Sequence, residues 1–138
     1  SYRGACPVQM VWQHPETVVD PLLRLGTTLS EAGDVEERLK EELHIQEGWM
    51  DRFPSELSGG ELQRFCLARA LHPGVRFLLC DEISAMLDLV TQAQIWQFLL
   101  EEAKRRSLGL LVVSHDDSLL EQVCTRIVEL PFPSWRIF

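Results

Sequence analysis

Four short stretches carry residue types from which phosphate chemistry can be built. In L-S-G-G-E-L-Q-R-F-C-L-A-R-A-L (Leu57–Leu71), Ser58 and Glu61 stand at capping-box spacing. Gly59 and Gly60 add something that a cap does not require. Without side chains they expose backbone N–H groups at the positive end of a helix, which makes an anion site. In F-L-L-C-D-E, Asp81 and Glu82 close an apolar run. The first acid can hold Mg²⁺ through water, because that ion dehydrates reluctantly. The second can orient or deprotonate an attacking water. V-V-S-H-D sets His115 at the end of another apolar run, where a ring N–H can donate to a phosphoryl oxygen. V-Q-M-V-W-Q ends in Gln13, whose amide can join a metal's shell or position a water.

The elements that must position these residues follow from the patterning. Pro7–Trp12, Val75–Cys80 and Leu108–Ser114 are near-continuous apolar runs, as in parallel strands buried on both faces. Arg126–Leu130 (R-I-V-E-L) is a weaker fourth strand candidate. Between the strands lie helical patterns. One opens with Asp34 and Glu37 as a capping box, carries Val35, Leu39 and Leu43 on one stripe and is expected to end at Gly48. A second, from Leu89 to Ser107, aligns Ile95, Leu99 and Ala103, places Lys104, Arg105 and Arg106 in its last turn and has Gly109 as its expected stop. A third spans Asp116–Thr125, with Leu119, Leu120 and Val123 inward. The alternation from Val75 onward predicts an α/β fold with a parallel sheet, and ligands bind such sheets at the carboxyl ends of the strands. Between Gln13 and Ser58 strand signals are missing, which reads as a helical insertion hung on the sheet.

The formal net charge of −8 argues against a nucleic-acid partner, which would want a basic face. No apolar run approaches the roughly 18 residues of a membrane span, and the expectation is a soluble chain. Cys6, Cys66, Cys80 and Cys124 are scattered, without C-x-x-C or metal-ligand spacing. Buried, reduced thiols are expected, as in a cytoplasmic protein.

Taken singly, each motif has a plain structural explanation. S-G-G-E is most often an ordinary cap, strands often end in solvated acids, and a lone histidine is more often structural. Their order and spacing together resemble the ATP-binding cassette (ABC) ATPases, over Val8 to about Leu130. L-S-G-G-E-L-Q-R is similar to the family signature, F-L-L-C-D-E to its Walker B strand, S-A-M-L-D to its D-loop and V-V-S-H-D to its switch histidine. V-W-Q-H-P-E-T-V-V-D-P, Asp81–Trp96 and Leu110–Leu130 resemble ATPase subunits of peptide and nickel importers.

The resemblance implies a partial P-loop NTPase core with parallel strands flanked by helices. Residues 1–13 and 58–138 would belong to the RecA-like core, and residues 14–57 to a helical subdomain that docks membrane permease subunits. The three strands would be sheet neighbours. Ser58, Gly59, Gly60 and Glu61 would face ATP held by a second ATPase subunit, and Asp88 would link the two sites of the dimer. Asp81, with Gln13, would hold Mg²⁺ through water. Glu82 would be the catalytic base, His115 would clasp the γ-phosphate and Gln13 would sense it. The location implied is the cytoplasmic face of the inner or plasma membrane, with ATP and Mg²⁺ as cofactors.

Some family features are missing. G-x-x-x-x-G-K-[ST] is absent, and neither Lys40 nor Lys104 follows a glycine. Truncation ahead of the Gln13 strand is the simplest explanation, and the chain alone is then expected to lack ATPase activity and tight nucleotide binding. Self-association at the edge of the His115 strand is also expected. Ile83 stands where the family usually has Pro, Glu61 where Gln is commoner, and the tail L-P-F-P-S-W-R-I-F lacks the usual Gly turn. Two other readings remain. A non-catalytic regulatory subunit would lend its signature loop to a competent partner. A DNA-repair or chromosome ATPase lobe would separate its halves with heptad coiled coils, and no heptads are present.

Overall fold

A computed structural model describes residues 6–129. Three parallel strands, β1 (Val8–Val11), β2 (Phe77–Asp81) and β3 (Gly109–Val113), form one sheet in the order β1-β2-β3. Val11 pairs with Cys80, and Asp81 with Val113, so all three carboxyl ends lie along one rim. At the other rim Phe77 pairs with Gly109. A Cβ on Gly109 would stand 2.6 Å from Phe77 Cδ1, so the missing side chain leaves room for the ring.

Among the described residues five α-helices accompany the sheet: α1 (Leu25–Ser30), α2 (Glu37–Glu42), α3 (Gly59–Ala70), α4 (Leu89–Arg106) and α5 (Asp117–Val123). Short 3₁₀ turns at Pro15–Thr17, Glu47–Trp49 and Pro54–Glu56 complete the segment between β1 and α3. One sheet face, with Val11, Leu78, Cys80, Leu110 and Val112, packs against Leu39, Leu67, Leu71, Ile95 and Leu99 of α2–α4 and the end of α3, while Leu119 and Val123 of α5 join its margin. A second core gathers Val19, Leu25, Leu29 and Trp49 around Leu62, Phe65 and Cys66. Thus α3 runs through both cores and ties the insertion to the sheet.

Several expectations are corrected. The strands were expected to be buried on both faces, but Val8, Phe77, Leu111 and Val113 are exposed to about half. All the packed helices lie on the opposite face, and among the described residues nothing covers this one. Arg126–Glu129 is not a strand, and Leu130 lies outside the described residues. Among the described residues no strand pairs with that segment; Ile127 and Val128 instead line a groove with Leu100, Ala103 and Leu110. The expected tail without a Gly turn also lies outside the described residues.

The helix expected from Asp34 to Gly48 is only α2. Asp34 does not cap it: Glu36 precedes its first residue and provides no side-chain cap. His44, at φ 54°, turns the chain away before Gly48. Leu39 and Leu43 are nevertheless buried, with Val35 packed beside them. Helix α4 ends at Ser107, in left-handed backbone at φ 53° and ψ 45°, two residues before the glycine expected to stop it. Helix α5 has no fully buried residue; Leu119, Leu120 and Val123 are half-buried.

The four thiols are free, but not uniformly buried. Cys66 and Cys80 are buried and Cys124 partly so, while Cys6 is exposed. Burial pushes the Cys66 and Cys80 thiols up to about 12.

Candidate nucleotide-phosphate site at the carboxyl rim

Parallel pairing carries the chain past the same rim three times. After β2 the backbone turns sharply: Glu82 has φ 50°, and its N–H donates to the Val113 carbonyl at 2.9 Å. The turn aims its carboxylate at the end of β3. Glu82 Oε1 accepts from the His115 backbone N–H at 2.8 Å and lies 3.6 Å from His115 Nε2. Oε2 lies 3.4 Å from the Ser114 hydroxyl, which also accepts from the Asp116 N–H at 3.1 Å. The acid is therefore held in place with lone pairs to spare, and the His115 side chain is 88% exposed and free to donate outward.

Asp81, the last residue of β2, is half-buried beside Glu82. Among the described residues no cluster of three His, Cys, Asp or Glu side chains would hold a metal unaided. Asp81 offers one carboxylate and Gln13, beyond the neighbouring strand β1, one amide, oxygen donors of the kind that Mg²⁺ takes when phosphate oxygens and waters fill its remaining positions. The residues therefore fit an ion that arrives with a nucleotide.

A second group forms around the start of α3. Ser58 and Glu61 make the expected capping box: the Ser58 N–H donates to Glu61 Oε2 at 2.8 Å, and the Glu61 N–H donates to Ser58 Oγ at 3.3 Å. The hydrogen bond from the Ser58 backbone N–H, and after it one from the Ser58 side chain, hold the Glu61 carboxyl below its ordinary range. Ser58 and Gly59 are exposed. A Cβ on Gly60 would stand 3.4 Å from Thr91 Cγ2 and 3.7 Å from Leu87 Cδ2, so this loop lies against the start of α4.

That start is built by Asp88. Its Oδ1 accepts from the Val90 and Thr91 N–H groups at 3.1 and 3.0 Å, and its Oδ2 from the Thr91 hydroxyl at 2.7 Å. The Thr91 hydroxyl, then the Thr91 and Val90 amides, keep the Asp88 carboxyl below the usual range. The structure thus brings Ser58–Gly60 beside Asp88, and Glu82 beside His115. Among the described residues no hydrogen bond joins these two groups. They are connected through the Ile83–Leu87 loop, anchored by a buried hydrogen bond from Trp96 Nε1 to Ser84 Oγ at 2.9 Å.

Gln13 lies two residues beyond β1, half-buried, and its side chain makes no hydrogen bond among the described residues. Its backbone neighbour is held instead: Gln63 Nε2 on α3 donates to the Trp12 carbonyl at 3.1 Å. Gln63, Ser84, Thr91 and Ser114 were not singled out from the sequence. The available signal was a polar side chain interrupting an apolar helix face, which Gln63 does between Leu62 and Phe65.

Comparison with known proteins identifies the family. The protein-family model described as ABC transporter matches residues 6–85, more than half of the chain. The nickel import ATP-binding protein NikE of Rhodospirillum rubrum is 37% identical over 94% of this chain and 50% of its own length. A Brucella abortus protein whose name assigns it to peptide import is 34% identical over 89% of this chain and 40% of its own. The chain spans about half the length of the curated relatives it matches. Among solved structures, the dimeric ABC transporter cassette MJ0796 superposes with a TM-score of 0.67 at 22% identity, covering 83% of this chain and 56% of that one. CbiO1 of Clostridium perfringens does so with a TM-score of 0.71 at 21% identity, covering 86% and 51%. These two show the fold; the family model shows the family. This chain belongs to the ABC transporter family.

Proposed function

We propose that this chain is part of the ATP-hydrolysing subunit of an ABC importer for nickel or peptides. The observation that carries the reading is the Glu82 carboxylate, held by the His115 N–H at the rim where parallel sheets bind ligands. Glu82 accepts a proton from the attacking water through its free lone pairs, while its backbone turn and the His115 N–H keep it from swinging away. The His115 ring donates to the phosphoryl oxygens. Asp81 and Gln13 would hold the Mg²⁺ shell, and the ion would supply charge neutralisation on the phosphates when bound. Ser58, Gly59 and Gly60 offer N–H and hydroxyl donors to the nucleotide of a second ATPase subunit, and Asp88 fixes the neighbouring loop on which that contact rests. Residues 14–57 form a helical subdomain that meets the membrane permeases, which places the protein on the cytoplasmic face of the membrane. No helix among the described residues is long and apolar enough to cross a membrane itself.

The importer reading draws on the names of the relatives, and the cargo is not encoded in the rim residues. G-x-x-x-x-G-K-[ST] is absent from the sequence, so this chain by itself is expected to bind Mg²⁺–ATP weakly and not hydrolyse it. Calorimetry with Mg²⁺–ATP, on this chain and on a form extended upstream through any encoded phosphate loop, tests the reading. Binding and hydrolysis by the longer form alone support it. If neither form binds, the protein is a non-catalytic subunit whose Ser58–Gly60 loop serves another chain's ATP.

A further inference from the structure

Gln63 presents an energetic puzzle. It is 1% exposed, on the α3 face between Leu62 and Phe65, which are also buried. Its Nε2 donates to the Trp12 carbonyl at 3.1 Å, while its Oε1 is buried with no hydrogen-bond partner among the described residues. The orientation is dictated by its partner. A carbonyl only accepts, so turning the amide over would set two oxygens against each other. An orphaned buried acceptor is costly. Met or Leu would fill the same space without one. Stability alone therefore argues against a carboxamide here, and what it supplies is a fixed position for one carbonyl.

That carbonyl belongs to the peptide group whose nitrogen is Gln13's. A peptide group is planar and stiff, so holding its oxygen also orients the Gln13 N–H and the start of its side chain. The other end of the tether is equally defined. Gln63 lies five residues after Ser58 in the same continuous helix, whose first turn carries the Ser58–Glu61 capping box. A displacement of the Ser58–Gly60 loop that moves α3 as a rigid body moves Gln63, and with it the Trp12–Gln13 peptide.

We infer that Gln63 is a positioning residue: it couples the Ser58–Gly60 loop to the Gln13 turn through one side-chain-to-backbone hydrogen bond. This rests on the reading of Gln13 as the phosphate-sensing side chain only for its consequence in ATP hydrolysis. The mechanical link itself stands without nucleotide.

The test is made on the full 138-residue chain by NMR, with Gln63→Met, Ser58→Ala and the double variant. In the wild-type background Ser58→Ala is expected to shift the Trp12 carbonyl and Gln13 amide resonances. In the Gln63→Met background the same change is expected to shift them at least fivefold less, with a melting temperature unchanged or raised. Equal shifts in both backgrounds would overturn the inference. So would a fall in melting temperature with resonances displaced throughout the core, the mark of a side chain that only packs.

Should Gln63→Met not fold, Gln63→Glu decides. A protonated carboxyl can donate to the Trp12 carbonyl and an ionised one cannot. The Gln13 amide should therefore regain its wild-type position as the introduced group is protonated, against a wild-type titration as control. A Gln13 resonance indifferent to that titration refutes the coupling. Because no nucleotide is added, failure here leaves the ATPase reading untouched, and failure of the calorimetric test leaves the coupling intact.

Discussion

Glu82 combines two features that rarely coincide in a side chain without a task. It is a non-glycine residue at φ 50°, a conformation that costs of the order of 1 kcal/mol, and its carboxylate is pinned by the backbone of the next strand. Replacing it with Gln keeps the backbone turn and the acceptor for the His115 N–H but removes the base proposed above. Glu82→Gln is expected to change the melting temperature of this chain little. In a form that hydrolyses ATP it should lower the rate by roughly 10² to 10⁴-fold, the usual contribution of general-base catalysis, without abolishing binding. Melting and steady-state hydrolysis on the same protein separate the two effects. Ser58 has a different signature. Ser58→Ala removes the oxygen that accepts the Glu61 N–H, and should cost about 1 kcal/mol in chemical denaturation.

Helix α4 is fastened at both ends. At its start Asp88 caps it. Near its end Glu102 is buried, with its side chain only 1% exposed. Arg38 of α2 donates to both its oxygens at 3.0 Å, and Arg105 does so at 2.7 and 3.1 Å. Arg106 reaches one of them at 3.3 Å while also donating to the Leu71 and His72 carbonyls. Burial pushes the Glu102 carboxyl up, but the Arg105 hydrogen bonds and the nearby Arg38 and Arg105 charges outweigh it and hold the group below its ordinary range. A carboxyl depressed on folding contributes stability at pH values above its unfolded pKa. That contribution is lost as pH falls from the ordinary carboxylate range through the lower folded value. Glu102→Gln is therefore expected to cost about 2 kcal/mol at neutral pH, part of the network's value being screened at the partly exposed Arg38 and Arg105. It should also lessen the loss of stability on acidification. Urea melts at pH 7 and pH 3 check both.

This network was not legible in the sequence, because Arg38 and Glu102 are 64 residues apart and nothing local marks them as partners. The same holds for Gln63 and Trp12. By contrast, β1–β3, α4 and the Ser58 capping box were legible, since continuous apolar runs and S-x-x-E spacing are local signals. The end of α2 was misjudged for a physical reason. His44 takes the left-handed conformation that the sequence rule assigns to Gly48, and only the burial of Leu39 and Leu43 against the sheet fixes where the turn must come.

At the scale of the molecule, the described residues form two cores threaded by α3, with one face of the sheet bare. β3 pairs on one side only among these residues, and Leu111 and Val113 are more than half exposed on the bare face. An apolar strand edge is a template for another strand. We expect the isolated chain to self-associate as its concentration rises, and Leu111→Lys to suppress this without unfolding it. Sedimentation velocity over a concentration series decides the matter, and a monomer throughout would refute it. The neighbouring of β2 and β3, which sets Glu82 beside His115, was foreseeable from the family resemblance. The bare face was not, because a run of apolar residues does not reveal which of its two sides finds a cover.

The contrast among the four cysteines makes the chain its own reporter of opening. Cys6 is exposed, whereas Cys66 lies in the core shared with Trp49 and Cys80 lies in the middle of the sheet. With their thiols raised to about 12, the two buried sulfurs offer almost no thiolate at neutral pH. An alkylating reagent should modify Cys6 at once, and Cys66 and Cys80 only when their surroundings come apart. Peptide mass spectrometry of a labelling time course would therefore time the loosening of each core separately. Equal rates at Cys66 and Cys80 would mean that the two cores open as one unit, and a faster Cys66 that the insertion loosens while the sheet remains closed.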